Sequence, residues 1–168
     1  SRHRIYHEIS GEMYPAQKRI SKLLEHAVPG SKDFTEKIAY ISVLNAYIKR
    51  KSNLLLLSAE SDMLDTRELL LALEESASYL TLAGLQATAW GDGNSLLPSD
   101  TVISLYDTFE SIAEQLIGVV PAAMISLSGQ SICIASDTET DLSKLISKEL
   151  PVPVSFRRSD STFYIDIT

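Results

Sequence analysis

The chain has 168 residues, 45% of them apolar and 22% charged, with a formal net charge of −7. That length suits one domain, or a small helical module joined to one compact domain, with the balance of an ordinary globular protein. The acidic surplus argues against nucleic acid as the main partner, and no apolar run is long enough to span a bilayer or to serve as a signal peptide.

Taken in order, residues 2–27 read as a helix, with Ile5, Ile9, Ala16, Ile20, Leu23 and Ala27 recurring at three- and four-residue steps. At about 100° per residue these side chains and Met13 occupy roughly a quarter of the wheel. His7 lies about 200° from Ile5, on the solvent side, among Ser10, Gly11, Tyr14 and Lys18. Pro15 removes an amide donor inside this helix, so a bend is expected just past His7. Val28-Pro29-Gly30 ends it. Asp33 and Glu36 suit a capping box for a second helix, running to about Leu57, with Phe34, Ile38, Ile41, Leu44, Ile48 and Leu55 on its apolar face. The short connection makes the two helices antiparallel neighbours. Their apolar faces are too wide for one pair to bury, which predicts a four-helix bundle built by two chains. Pairing outward from the loop puts Lys49, Arg50 and Lys51 within a turn or two of His7, a basic cluster suited to an acidic, phosphate-carrying partner.

Ser58 to Leu64 reads as a linker. Asp65-Thr66-Arg67-Glu68 is a second capping box, opening a helix with Leu69, Leu70, Leu73, Ala77 and Leu80 that closes at Gly84. Leu85 to Trp90 reads as a strand and Gly91-Asp92-Gly93-Asn94 as a turn. Pro98-Ser99-Asp100 starts a helix carrying Val102, Leu105, Tyr106, Phe109, Ile112, Ala113 and Leu116. Residues 123–127 and 131–135 flank Ser128-Gly129-Gln130 as a hairpin, Asp141 to Leu150 suggests a short helix, and residues 152–157 and 162–167 make a second hairpin. Cys133, the single cysteine, sits among alternating apolar neighbours and reads as a buried strand residue; alone, it excludes an intrachain disulfide. His3, His7 and His26 lack metal-ligand spacing, so no bound metal is expected. The whole order is that of an α+β protein: a helical hairpin, then helices on one face of a mixed sheet.

The run His7-Glu8-x-x-Gly11-Glu12 resembles the phosphoacceptor box of bacterial sensor histidine kinases, an H-[DE]-x-x-[GA]-[QH]-like sequence that opens the dimerisation helix. The resemblance implies that His7 takes a phosphoryl group on a ring nitrogen while Glu8 orients the ring or accepts its proton, chemistry that needs an accessible imidazole beside a carboxylate. It further implies a docking face of Ser10, Gly11, Glu12, Tyr14 and Lys18, with Lys49, Arg50 and Lys51 at its margin. Glu12 stands where the family commonly has Gln or His, which puts phosphatase activity in doubt.

The later elements are similar to the ATP-binding domain that follows this hairpin in the same family, with Leu97 to Leu116 matching the run into its asparagine-bearing helix. Here Ser111 and Gln115, or with a one-residue shift Glu110 and Glu114, stand at the metal-binding positions, and the asparagine is missing in both registers. The family's D-x-G-x-G box falls at Asp137-Thr138-Glu139-Thr140-Asp141, with both glycines replaced by acids that would repel polyphosphate. The implied division is residues 1–60 as a dimerisation and phosphoacceptor hairpin and 61–168 as a degenerate ATP-binding-like sandwich.

A phosphoacceptor hairpin without an ATP site is similar to the sporulation-type histidine phosphotransferases of multistep relays. The leading expectation is therefore a dimeric module that exchanges a phosphoryl group between His7 and a response-regulator aspartate. It would bind no cofactor of its own, the Mg2+ residing in the partner receiver domain. The resemblance implies a cytoplasmic location, either free or as part of a longer membrane-anchored sensor. Two other readings stand beside it: a non-catalytic dimeric scaffold that binds a receiver, and an active sensor kinase.

Overall fold

The computed structural model describes residues 2–146 and 149–168. Helix α1 (Arg2–Glu25) and helix α2 (Phe34–Glu60) form the antiparallel hairpin. Pro15 is accommodated within α1, which remains one helix. The cap expected of Asp33 does not form. Its backbone is not extended (φ −96°, ψ 2°), and its carboxylate instead takes the Ser31 hydroxyl at 2.9 Å and Lys37 Nζ at 2.9 Å. An extended Ncap is what aims a side chain at the first free amides, and here that geometry is absent.

Helix α2 also runs a turn beyond Leu57, so the expected linker is mostly structured. After it come strand β1 (Met63–Asp65), helix α3 (Thr66–Leu82), strand β2 (Gln86–Gly91), strand β3 (Leu96–Pro98) and helix α4 (Ser99–Leu116). β1 and β3 pair antiparallel as a two-stranded ribbon that neither stretch announces at three residues each. Thr66 secures it: its amide and hydroxyl both donate to the Ser95 carbonyl, and its hydroxyl accepts from the Ser95 amide. The Asp65 side chain caps α3 by accepting from the Arg67 amide at 2.9 Å, as the sequence predicts. Gly84, at φ 97°, takes the left-handed turn after α3.

Strands β4 (Ala122–Ser128), β5 (Ser131–Asp137), β6 (Val154–Ser159) and β7 (Thr162–Ile167) complete the molecule. They join β2 in a five-stranded sheet of order β2-β4-β5-β7-β6, in which β2 and β4 are parallel and the other pairs antiparallel. Gly91 is the last residue of β2 rather than part of a turn. A Cβ there would lie 2.6 Å from the Leu127 carbonyl oxygen, so only glycine fits at this crossing. Of the helix expected over Asp141–Leu150, a single 3-10 turn forms at Leu142–Lys144, and Ser147 and Lys148 lie outside the described residues. Pro151 and Pro153, just beyond, bias the preceding residues away from helix.

Period-two alternation turns Ala123, Ile125, Leu127, Ile132, Ile134, Phe163, Ile165 and Ile167 toward the helices, and all are buried. The opposite side of the sheet carries Thr88, Trp90, Met124, Ser126, Cys133, Tyr164 and Asp166, all at least partly exposed, so Cys133 lies on a strand but on its outer face rather than in the core. Helix α4 is buried around most of its girth, from Val102 through Leu105, Tyr106, Phe109, Ile112 and Ala113 to Leu116. Side chains such as these each contribute about 1.5–3 kcal/mol on leaving water. The reason for so wide a buried surface is that α4 faces the sheet on one side and α2 on the other. Val43 and Leu54 of α2 join the same core, so the architecture is a sheet, the α3–α4 layer, α2, and α1 outermost.

Candidate functional site

The face of α1 that periodicity assigns to solvent is exposed. His7, Ser10, Gly11, Tyr14 and Lys18, at spacings of three, four and seven, share it. His7 makes no hydrogen bond or ion pair with any described residue, and Tyr14 is 62% exposed. A Cβ on Gly11 would meet nothing within 4 Å, so no packing within the chain requires that glycine. Glu8 is exposed too, but its Oε1 accepts from Arg4 Nε at 3.2 Å, one turn back, and not from the histidine ring.

The basic residues expected at the margin of this face sit elsewhere. The residues lying opposite Ile5, Glu8, Ile9 and Glu12 are Leu55, Ser58 and Ala59, a turn past the cations. Lys49 and Arg50 turn toward α3, where both pair with Glu75. Burial raises the Glu75 carboxyl, but the hydrogen bonds from Lys49 and Arg50 outweigh it and leave the group below its ordinary value. Lys51 is 5% exposed. It donates to Asp107 Oδ2 at 2.9 Å and to the Tyr47 hydroxyl at 3.3 Å, and pairs with Glu12 Oε2 at 3.2 Å. A lysine so enclosed cannot act as a docking cation. Glu12, expected on the docking face, is half exposed and reaches inward to this lysine.

These contacts open onto a second polar region. A cavity of about 600 Å³ lies where α1, α2 and α4 meet, lined among others by Glu12, Arg19, Tyr40, Tyr47, Lys51 and Glu114. Arg19 of α1 pairs with Glu114 Oε1 at 2.6 Å and donates to the Tyr40 hydroxyl; Tyr40 in turn donates to Glu114 Oε1 at 2.7 Å. Tyr47 donates to Asp107 Oδ1 at 2.8 Å. Burial, reinforced by the adjoining carboxylates, pushes both phenols above their ordinary range, so Tyr40 and Tyr47 act as donors. Glu110, Ser111, Glu114 and Gln115, the residues that stand at the resemblance's metal-binding positions, all line this cavity. Asp137, the first residue of the stretch that stands at the D-x-G-x-G box, accepts the Thr162 hydroxyl at 2.7 Å.

The junction is absent from the sequence reading, although one signal was available. Glu110 falls inside the apolar arc of α4, next to Phe109 and four residues after Tyr106, where a solvated acid has no place. Arg19, Tyr40 and Tyr47 carry no comparable mark, since nothing local says what lies across from them.

No protein-family model matches this sequence, and no curated protein matches it. By structure the chain is similar to a solved bacterial phosphotransferase, with a TM-score of 0.51 and 14% identity over 98% of this chain and 93% of that one. A histidine kinase domain, from the blue-light activated histidine kinase of Erythrobacter litoralis EL346, aligns over 94% of this chain and 93% of that one, with a TM-score of 0.48 and 8% identity. At such identities the likeness is one of fold: the chain has the fold of that phosphotransferase, a helical hairpin followed by an α/β sandwich, as the resemblance implied.

Proposed function

We propose that this chain is a histidine phosphotransferase-like signalling module in which His7 exchanges a phosphoryl group with the aspartate of a response-regulator receiver domain. The observation that carries the proposal is the His7 face itself: an unengaged imidazole with Ser10, Gly11, Tyr14 and Lys18 around it, on the outermost helix of a phosphotransferase-like fold. A neutral ring nitrogen attacks the phosphorus of the aspartyl phosphate. The N–P bond forms as the P–O bond to the carboxyl breaks, and the aspartate leaves as carboxylate. The proton on the other ring nitrogen passes to solvent or to the Glu8 carboxylate. Such transfer asks mainly for alignment, which an exposed histidine beside the small Ser10–Gly11 step permits. Magnesium would be held by the receiver's own acidic pocket.

Assembly through the hairpin belongs to the same proposal. Leu24, Val28, Ile38 and Leu56 are exposed, and Ile5, Ile9, Ile20, Leu23 and Leu55 are only partly covered, a surface that a second copy would bury in a four-helix bundle. Light scattering at micromolar concentration should give twice the chain mass. Nucleotide is not part of the reaction in this reading: Glu139 and Asp141 replace the glycines that would admit polyphosphate, so calorimetry with magnesium-ATP should show binding weaker than about −4 kcal/mol.

The deciding experiment mixes the chain with phosphorylated receiver domains and follows an acid-labile phosphoryl group. His7→Ala should abolish labelling, and labelling of that variant at the wild-type level would sink the proposal. One observation favours the second reading, a non-catalytic module that binds a receiver: Glu8 is engaged by Arg4 rather than by His7. In that case receivers bind with wild-type affinity and the chain is never labelled.

A further inference from the structure

The junction of α1, α2 and α4 holds one group whose chemistry is not balanced by its neighbours. Glu110 is 2% exposed, and neither of its carboxyl oxygens receives a hydrogen bond from any described residue. The cations nearby are already engaged. Arg19 of α1 is occupied by Glu114 and Tyr40, and Lys51 of α2 by Asp107, Glu12 and Tyr47. The phenols of Tyr40 and Tyr47 give their protons to Glu114 and Asp107. On the α3 side, Ser76 bonds to Tyr106, and Glu75 holds Lys49 and Arg50. Four acids, Glu12, Asp107, Glu110 and Glu114, thus share the cavity with two bases, Arg19 and Lys51. An ionised Glu110 would be a buried charge with no partner, a strongly unfavourable state.

As an acid the same group has an acceptor one turn away on its own helix. Glu110 and Glu114 stand one turn apart on α4, and both donors to Glu114, Arg19 and Tyr40, sit on Oε1, leaving Oε2 as an acceptor. We propose that Glu110 is held as a neutral carboxylic acid that donates its proton to Glu114, and that this shared proton makes the attachment of α1 to α4 through Arg19 dependent on pH. Burial is the largest influence raising Glu110 well above the ordinary carboxyl range, followed by the neighbouring Glu114 carboxyl; Arg19 opposes the shift and Asp107 adds to it. Removing the proton would set two carboxylates against each other beside a single arginine, and opening α1 from α4 relieves that repulsion. The sign follows. A carboxyl raised in the closed form favours closure fully below its ordinary value, and that contribution is lost as the pH rises toward and through the raised value.

The pH-dependent attachment of α1 to α4 does not rest on the phosphotransfer reading, and its test involves no phosphoryl group. In the full chain labelled at the glutamate carboxyl carbons, one glutamate should stay protonated well above the pH at which the others ionise, as read by nuclear magnetic resonance, and that signal should vanish in Glu110→Gln. Hydrogen exchange of α1 amides over residues 12–20, corrected for intrinsic rates, should show protection falling by up to about tenfold per pH unit between the ordinary carboxyl value and that of Glu110. Glu110→Gln, which still donates to Glu114 but cannot ionise, should flatten this dependence. The proposal is overturned if every wild-type glutamate ionises in the ordinary range, or if Glu110→Gln keeps the wild-type pH dependence. The wild-type titration decides the matter even if the variant does not fold.

Discussion

Helix α1 carries two polar regions a few turns apart, and they are built in opposite ways. Around His7 the polar side chains face water with almost no bonds inside the chain, apart from the exposed Arg4–Glu8 pair. Glu12 and Arg19 reach inward instead, and each is tied to α2 or α4. Fold stability therefore depends on the second region and hardly at all on the first. A surface that keeps its donors and acceptors unspent, on a rigid helix, is free to serve a partner; a network whose members are engaged holds the scaffold that presents it.

The contrast is broken most severely at Lys51. Lys51→Ala should destabilise the chain by about 2–3 kcal/mol in a denaturant titration, because it strands Asp107 in a half-buried site; partial exposure of Asp107 and Glu12 keeps the loss below that of a fully buried pair. Gly11→Ala should do the reverse on the outward face. Nothing lies within 4 Å of the new Cβ, so the chain gains helix propensity, and the midpoint should rise by the equivalent of about 1 kcal/mol. If the face docks a receiver, the same variant slows transfer while stabilising the protein, an opposition that sharpens the comparison.

Glu75→Gln sits between the two, since Lys49 is exposed and Arg50 only partly covered. The loss should be about 1 kcal/mol near neutral pH. The lowered Glu75 carboxyl contributes stability above its ordinary value, and that contribution disappears as the pH falls through the lowered one. Wild type and variant should therefore converge in acid. The smallest effect is expected at His7 itself, where His7→Ala should leave the melting curve within about 0.5 kcal/mol of wild type. A larger loss would mean that the histidine supports the scaffold rather than the surface.

What could be read from the residues divides along the same line. The outward place of His7, the Asp65 cap, the apolar stripe of α4 and the 122–137 hairpin are all local patterns, and each is where periodicity puts it. Lys51 reads as a surface cation because its partner Asp107 lies 56 positions away and nothing near Lys51 announces it. Gly91 looked like a turn because the reason for a glycine, the Leu127 carbonyl, belongs to another strand. The β1–β3 ribbon is too short to display a period, and the Asp33 cap failed because Ser31 and Lys37 competed for the same carboxylate.

Helix α2 has a consequence for anyone who would take the molecule apart. Ile41, Val43, Leu44, Ala46 and Leu54 are buried between α1 on one side and α3 and α4 on the other, so this helix is covered from both directions. Excising the hairpin at residue 60 would uncover Val43 and Leu54 and leave Lys51 without Asp107. Such a fragment would be sticky, and its self-association would say little about how the intact chain pairs. The residues that make a clean cut near position 60 costly are the same ones by which the sandwich can feel a load placed on α1. Mechanical continuity of this kind needs no moving hinge: a displacement of α1 by a few tenths of an ångström is met directly by side chains rooted in α4.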